Sequence, residues 1–254
     1  LIGKNAAVEV DGAAFWMSEN GFFRYQGKLE SLPCLVEDYV YDDINTVPKN
    51  HIYAGLNNLF GEVTWFYPGS GAASNNRSVT YNYMDSSNER QIWTTSSLAR
   101  STWSDSHIFG KPHGTEYDSS ATSDSTVGNT DGVTTYFEHE TGTNQIKTGS
   151  ASAIAANIQS GDFDIGQSPI PNQGDGEYMM KIRRIIPDFL TQTGDARITL
   201  NLKNYPTDSE ASSSLGPFET TTSTTKIDTR ARARAIALKV DNTGLTQHWK
   251  LGTF

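Results

Sequence analysis

Apolar and polar residues alternate with a period of two along most of this 254-residue chain, and stretches with helical spacing are few. In "AFWMSENGFFRYQG", Asn20-Gly21 predicts a tight hairpin turn built on two positive φ angles. Pairing outward from it sets Trp16 opposite Tyr25 and Ser18 opposite Phe23, while Phe15, Met17, Phe22 and Arg24 share the other face. "EVTWFYPG" predicts a strand with Val63, Trp65 and Tyr67 on one side, stopped by Pro68-Gly69. Its partner is "RSVTYNYM", through Val79, Tyr81 and Tyr83, and "RQIWTT" follows the polar turn "DSSNE". "GVTTYFEHE" adds an aromatic strand after the Ser/Thr/Gly/Asp-rich loop 118–132.

Around Gly149 the pattern changes: tryptophan vanishes until Trp249, and strands with aliphatic faces take over. "EYMMKIRRIIPDF" alternates Tyr178, Met180 and Ile182 against Met179, Lys181 and Arg183. "DARITLNLKNYP" turns Ala196, Ile198, Leu200 and Leu202 inward and leaves Arg197, Thr199, Asn201 and Lys203 outward. Segment 207–225, "TDSEASSSLGPFETTTSTT", reads as a long exposed connection. The expected fold is all-β, in two parts. Residues 1–148 form propeller-like blades of aromatic hairpins, and residues 149–254 form a β-sandwich.

Charge divides along the same line. The chain carries 20 Lys+Arg and 29 Asp+Glu, a net charge of −9, which argues against a surface wholly given to nucleic acid. Residues 177–254 nevertheless hold 11 Lys+Arg against 8 Asp+Glu, so the acidic surplus belongs entirely to residues 1–176. Cys34 is the only cysteine, which excludes an intrachain disulfide and a thiolate metal cluster. Without an apolar run of bilayer length, no membrane insertion is expected.

Candidate chemistry is thin. "FEHE" would put Glu138 and Glu140 on one strand face with His139 on the other, a pairing of carboxylates that could serve glycoside hydrolysis or simply form a solvated edge. "EDYVYDDIN" gathers Glu37, Asp38, Asp42 and Asp43, whose spacing fits no calcium loop, so they read as surface acids. His107 and His113 in "HIFGKPH" lack a third metal ligand. With no GxSxG and no glycine-rich phosphate loop, the expectation is no catalytic residue, no metal and no cofactor. Trp16, Trp65, Trp93 and Trp103 could line a sugar-binding face, although aromatics on regular hairpins more often fill a core.

The sharpest local feature is "TRARARAIALKVD". On one strand Arg230, Arg232 and Arg234 project to one side, the side that Ile236, Leu238 and Val240 occupy further on. Either the strand overhangs its own core at the arginine end, or a bulge near Ala235 flips the register. Guanidinium forks suit phosphates and carboxylates alike. A neighbouring acidic surface is the better match here, because nucleic-acid binding calls for a broader basic patch with interleaved aromatics.

Taken in order, "AFWMSENGFFRYQGKLESLPCLVEDYVYDDIN", "GEVTWFYPGSG", "VTYNYMDSSNERQIW", "LARSTW", "YFEHETG", "SGDFDIG", "IRRIIPDF" and "RARARAIALKVDNTGLTQHWKLG" resemble the nozzle proteins of short-tailed bacteriophages, the tail tubular protein B family. The resemblance runs from about Phe15 to Gly252. It implies a non-enzymatic virion tail protein that assembles as a homohexameric ring and passes genomic DNA non-specifically through its channel. Tail adaptor and tail-fibre proteins are the implied partners. Family members are usually longer, so the chain is either a complete nozzle or its C-terminal part. On this reading Arg230, Arg232 and Arg234 meet a subunit or adaptor, while Glu37, Asp38, Asp42, Asp43, Glu138 and Glu140 line the channel or an interface. The alternative is a carbohydrate-binding or glycan-cleaving phage tail protein.

Overall fold

Asp11-Gly12 opens the structure with a two-residue turn, both residues at positive φ (52° and 75°), joining β1 (Ala7–Val10) to β2 (Ala13–Ser18). β3 (Gly21–Tyr25) and β4 (Leu29–Leu32) complete an antiparallel meander in the order β1-β2-β3-β4. The computed structural model describes every residue except 88–89, 107, 119–131, 148, 166–177, 206–207, 209–212 and 253–254. It divides into two compact units, Leu1–Thr141 and Gly142–Phe254.

The β2–β3 hairpin differs in register from the sequence expectation. Ser18 pairs with Gly21 and Trp16 with Phe23, so the turn is Glu19-Asn20 and Gly21 begins the strand at φ 136°. The Tyr41 hydroxyl explains the shift: it donates to the Ser18 carbonyl at 2.8 Å and accepts the Gly21 N–H at 3.1 Å, closing the turn from outside. A two-residue slip preserves side-chain parity, and Phe15, Met17 and Phe22 are buried on one face as the alternation requires. Tyr41 belongs to α1 (Glu37–Asp43), a short helix where only strands and acid-rich loop were expected.

A second meander follows in the order β5 (Tyr53–Asn57), β6 (Glu62–Tyr67), β7 (Arg77–Asn82) and β8 (Ile92–Ser96). Val63 pairs with Tyr81 and Trp65 with Val79. The two meanders share one core: Phe22 lies 5.0 Å from Trp65 and 4.8 Å from Trp93, and Phe15 lies 6.2 Å from Tyr81. Each large side chain so buried contributes roughly 1.5–3 kcal/mol. β9 (Thr102–Ser104), β10 (His113–Asp118) and β11 (Val133–Glu138) finish the first unit as a three-stranded sheet.

In the second unit, β12 (Asn144–Lys147) pairs with β13 (Ser150–Ala153). β14 (Ala156–Gln159), β17 (Ala196–Lys203), β18 (Ser214–Thr220) and β20 (Ala235–Asn242) form a sheet in the order β14-β20-β17-β18. β15 (Met180–Ile185) pairs with β19 (Ile227–Ala233), and β16 (Phe189–Thr193) with β21 (His248–Leu251). Ile198, Leu200, Ile236, Val240, Ala231 and Ala233 are buried in its core.

Segment 207–225 is not one long connection, because Ser214–Thr220 is a strand paired with β17. Leu215 and Phe218 pack on the core from it, and the Thr220 hydroxyl donates to the Ala196 carbonyl at 2.8 Å. The Ser/Thr-rich composition hid those two apolar anchors. Asn201, expected outside, is buried and donates from its amide to Gln159 at 3.2 Å. The whole is nearly all β, built of several antiparallel sheets.

Candidate functional site

The arginine segment is broken at Arg234, which lies between β19 and β20. Before the break the buried positions are odd (Ala231, Ala233); after it the large aliphatic residues of the core, Ile236 and Val240, are even, and the small Ala237 is buried on the opposite side. Arg230, Arg232 and Arg234 therefore point outward while the aliphatic residues beyond face the core, the bulge-type solution to the mixed face. The two strands around the break serve different sheets: β19 pairs with β15, and β20 with β17.

That pairing brings in residues not grouped with the arginines from sequence. Lys181 stands directly opposite Arg232, and a bulge between Ile182 and Arg184 sets Arg183 beside the Thr229–Arg230 step. Lys181, Arg183, Arg230 and Arg232 are all exposed, whereas Met180, Ala231 and Ala233 are buried beneath them. Farther along the same outer face, Arg184 bonds Asp228 at 2.9 Å and Lys226 meets the other carboxylate oxygen at 3.0 Å. The hydrogen bond from Arg184, then that from Lys226, holds the Asp228 carboxyl below its ordinary range. Among the described residues, no such carboxylate accompanies Lys181, Arg183, Arg230 or Arg232. The signal for the wider patch was the alternation of "MKIRR", legible only once its partner strand is known.

The acids do not converge. Asp38 and Asp42 are exposed on α1, Glu37 is half-buried, and Asp43 turns to Arg77 at 3.3 Å and to the Ser70 N–H at 3.4 Å. Glu138 and Glu140 do not share a strand face, because β11 ends at Glu138 and Glu140 adopts φ 54°. Glu138 instead pairs with Lys111 at 3.2 Å, and Glu140 accepts the Asn57 amide at 3.0 Å. Beside Asn57, burial and then the charge of Glu140 raise the Glu62 carboxyl. Among the described residues no group of three or more His, Cys, Asp or Glu side chains is arranged to hold a metal ion. His107 lies outside the described residues.

Sequence reasoning missed the most polar buried feature. Arg100 is only 3% exposed, lies 4.1 Å over the Phe137 ring, and donates from Nε to His139 Nε2 at 2.9 Å. Its other side faces Glu116 at 3.5 Å. His139 must accept with an unprotonated Nε2, so its ring is neutral with the proton on Nδ1. Burial, then the Arg100 charge, then His113 push its pKa down to about 4. Burial also lowers Arg100 to about 10, against the pull of Glu116. Trp103 packs 4.4 Å from the imidazole. This cluster ties β9, β10 and β11 together with the chain entering β9, and its charges are spent on each other.

The tryptophans are mostly structural. Trp65 is fully buried and bonds the Ala6 carbonyl at 3.1 Å; the Trp93 and Trp103 indoles bond Pro33 and Leu56 carbonyls at 2.9 and 2.7 Å. Trp16 is half-exposed and stacks on Phe23 at 5.7 Å. A more exposed aromatic group is Phe109, His113 and Tyr136, in which His113 stacks on Tyr136 at 5.4 Å. Burial pushes the Cys34 thiol up to about 12, which keeps it from acting as a thiolate. No described helix is long and apolar enough to cross a membrane.

Fold and surface together define a nearly all-β protein whose second unit carries a basic ribbon. Neither a family model nor a curated protein matches the chain.

Proposed function

We propose that this chain is a ring-forming nozzle subunit of a short-tailed phage tail, a non-enzymatic virion component. Six copies line a channel for DNA ejection and dock adaptor and tail-fibre proteins. The observation that carries the reading is the pair of successive four-stranded antiparallel meanders packed on one aromatic core. Four-stranded meanders repeated along the chain are the building blocks of propellers, the architecture the motif resemblance implies. The second unit, with its separate aliphatic core, is the sandwich part of the same reading.

The charge division supports it too. An acidic bore keeps DNA phosphates from adhering, and of the six acids named from sequence, the exposed Asp38 and Asp42 on α1 are the ones available to such a wall or to a subunit seam. Electron microscopy of the purified assembly tests this directly: six-fold rings with an open bore are expected. A chain that stays monomeric by light scattering at micromolar concentration, alone and with its adaptor, would defeat the proposal.

Glycan binding is a second reading, favoured by the exposed rings of Phe109 and Tyr136 flanking the half-buried His113 rather than by the tryptophans. It requires glycan binding that Tyr136→Ala abolishes.

A further inference from the structure

We propose that the outer face of the β15–β19 ribbon is a sequence-independent contact for the phosphate backbone of duplex DNA, made by Lys181, Arg183, Arg230 and Arg232. The cross-strand register places Lys181 directly against Arg232, and like charges so opposed destabilise a ribbon. At the neighbouring end the same problem is solved within the chain, where Asp228 neutralises Arg184 and Lys226. The four cations of the middle have no such carboxylate among the described residues, which leaves their outer face open to an anion from outside.

The form of the patch selects the anion. Arginines 230 and 232 repeat every two residues, about 6.6–6.8 Å along a strand, with the second strand about 5 Å away. The result is a strip of donors on a two-stranded ribbon, a shape that lies along a nucleic-acid groove or backbone. Protein interfaces place apolar and aromatic groups at their centre and, arginine apart, deplete it of charge. Here the centre is charged, and the apolar Met179 and Ile186 stand at its two ends. Protein–DNA interfaces are instead polar and strongly positive. The breadth that the arginines alone lacked is supplied by Lys181 and Arg183, and interleaved aromatics serve the stacking of single strands rather than the backbone of a duplex, which moves the balance from a neighbouring acidic protein to phosphate. The contact proposed is one of backbone and charge, which predicts equal affinity for unrelated sequences. It belongs to the single chain and holds whether or not the chain forms rings.

The test is fluorescence anisotropy of the full chain with two labelled duplexes of unrelated sequence, between 50 and 200 mM salt. Four phosphate contacts give a log–log salt slope of roughly −3.6, equal for both duplexes. Lys181→Ser with Arg183→Ser, or Arg230→Ser with Arg232→Ser, is expected to flatten it by about 1.8. A charge-matched control, Lys28→Ser with Lys250→Ser, removes exposed cations elsewhere and leaves the slope unchanged. All six positions are exposed, and circular dichroism confirms that each variant keeps its strands. The proposal is overturned by absence of duplex binding at 50 mM salt or by a control that loses as much as the ribbon variants. It is overturned equally if polyglutamate binds with the four-residue dependence while DNA does not. Ring formation, scored separately by microscopy, reports on the nozzle reading alone.

Discussion

Acid should loosen the first unit through His139 before it reaches most carboxylates. The folded imidazole takes a proton only near pH 4, because burial, Arg100 and His113 all oppose it, whereas the unfolded one takes it near 6.5. Between those values the unfolded chain binds a proton that the folded chain refuses, so stability is full above about 6.5 and falls as pH drops toward 4. At 1.36 kcal/mol per pH unit the ceiling is about 3 kcal/mol, and partial solvent access to the ring cuts this to about 1–2 kcal/mol. Protonation also removes the acceptor of the Arg100 Nε–H and leaves two cations 2.9 Å apart. Urea unfolding at pH 7.5, 6 and 5, followed by tryptophan emission, reads the first unit, which holds four of the five tryptophans. His139→Gln keeps an acceptor for Arg100 but cannot titrate, so the wild type is expected to lose about 1 kcal/mol more than the variant between pH 7.5 and 5. Parallel losses in the two proteins, or a His139 ring titrating near 6.5 by NMR, would refute the reasoning.

Three further outcomes test the packing. Gly55→Ala puts a Cβ 2.6 Å from the Trp103 ring, so it should cost about 1–3 kcal/mol and shift Trp103 emission as the indole leaves the Leu56 carbonyl. Tyr41→Phe removes the clamp on the Glu19-Asn20 turn and should cost about 1–3 kcal/mol, seen as a lower urea midpoint at constant slope. Arg100→Met removes the buried ion pair with Glu116 and the Nε–H donor to His139 and should cost about 1–3 kcal/mol at pH 7 by the same assay.

Strand type and facing were legible in the sequence because they depend on local alternation. Met17 and Phe22, Trp65 and Val79, and Ile198 and Leu200 are buried as their parity demands, since a pleated strand has only two faces. Even the hairpin whose register slipped by two kept its faces, for the same reason. Asp11-Gly12 was an equally local signal, a two-residue turn with both φ angles positive, that sequence reading passed over.

What only tertiary structure decided is which strands meet and where irregular backbone falls. The Glu19-Asn20 turn is set by Tyr41, twenty residues on; the separation of Glu138 from Glu140 by a single left-handed residue; the strand in 214–220 by Leu215 and Phe218 finding a distant core. Arg100 found His139 and Glu116, and Lys181 found Arg232, across contacts that no short window of sequence contains. "RARARA" by itself determined a row of charges on one side of a strand. The break at Arg234 and the partner strand β15 made that row a two-stranded ribbon facing solvent, because pairing is a long-range property and burial follows from pairing.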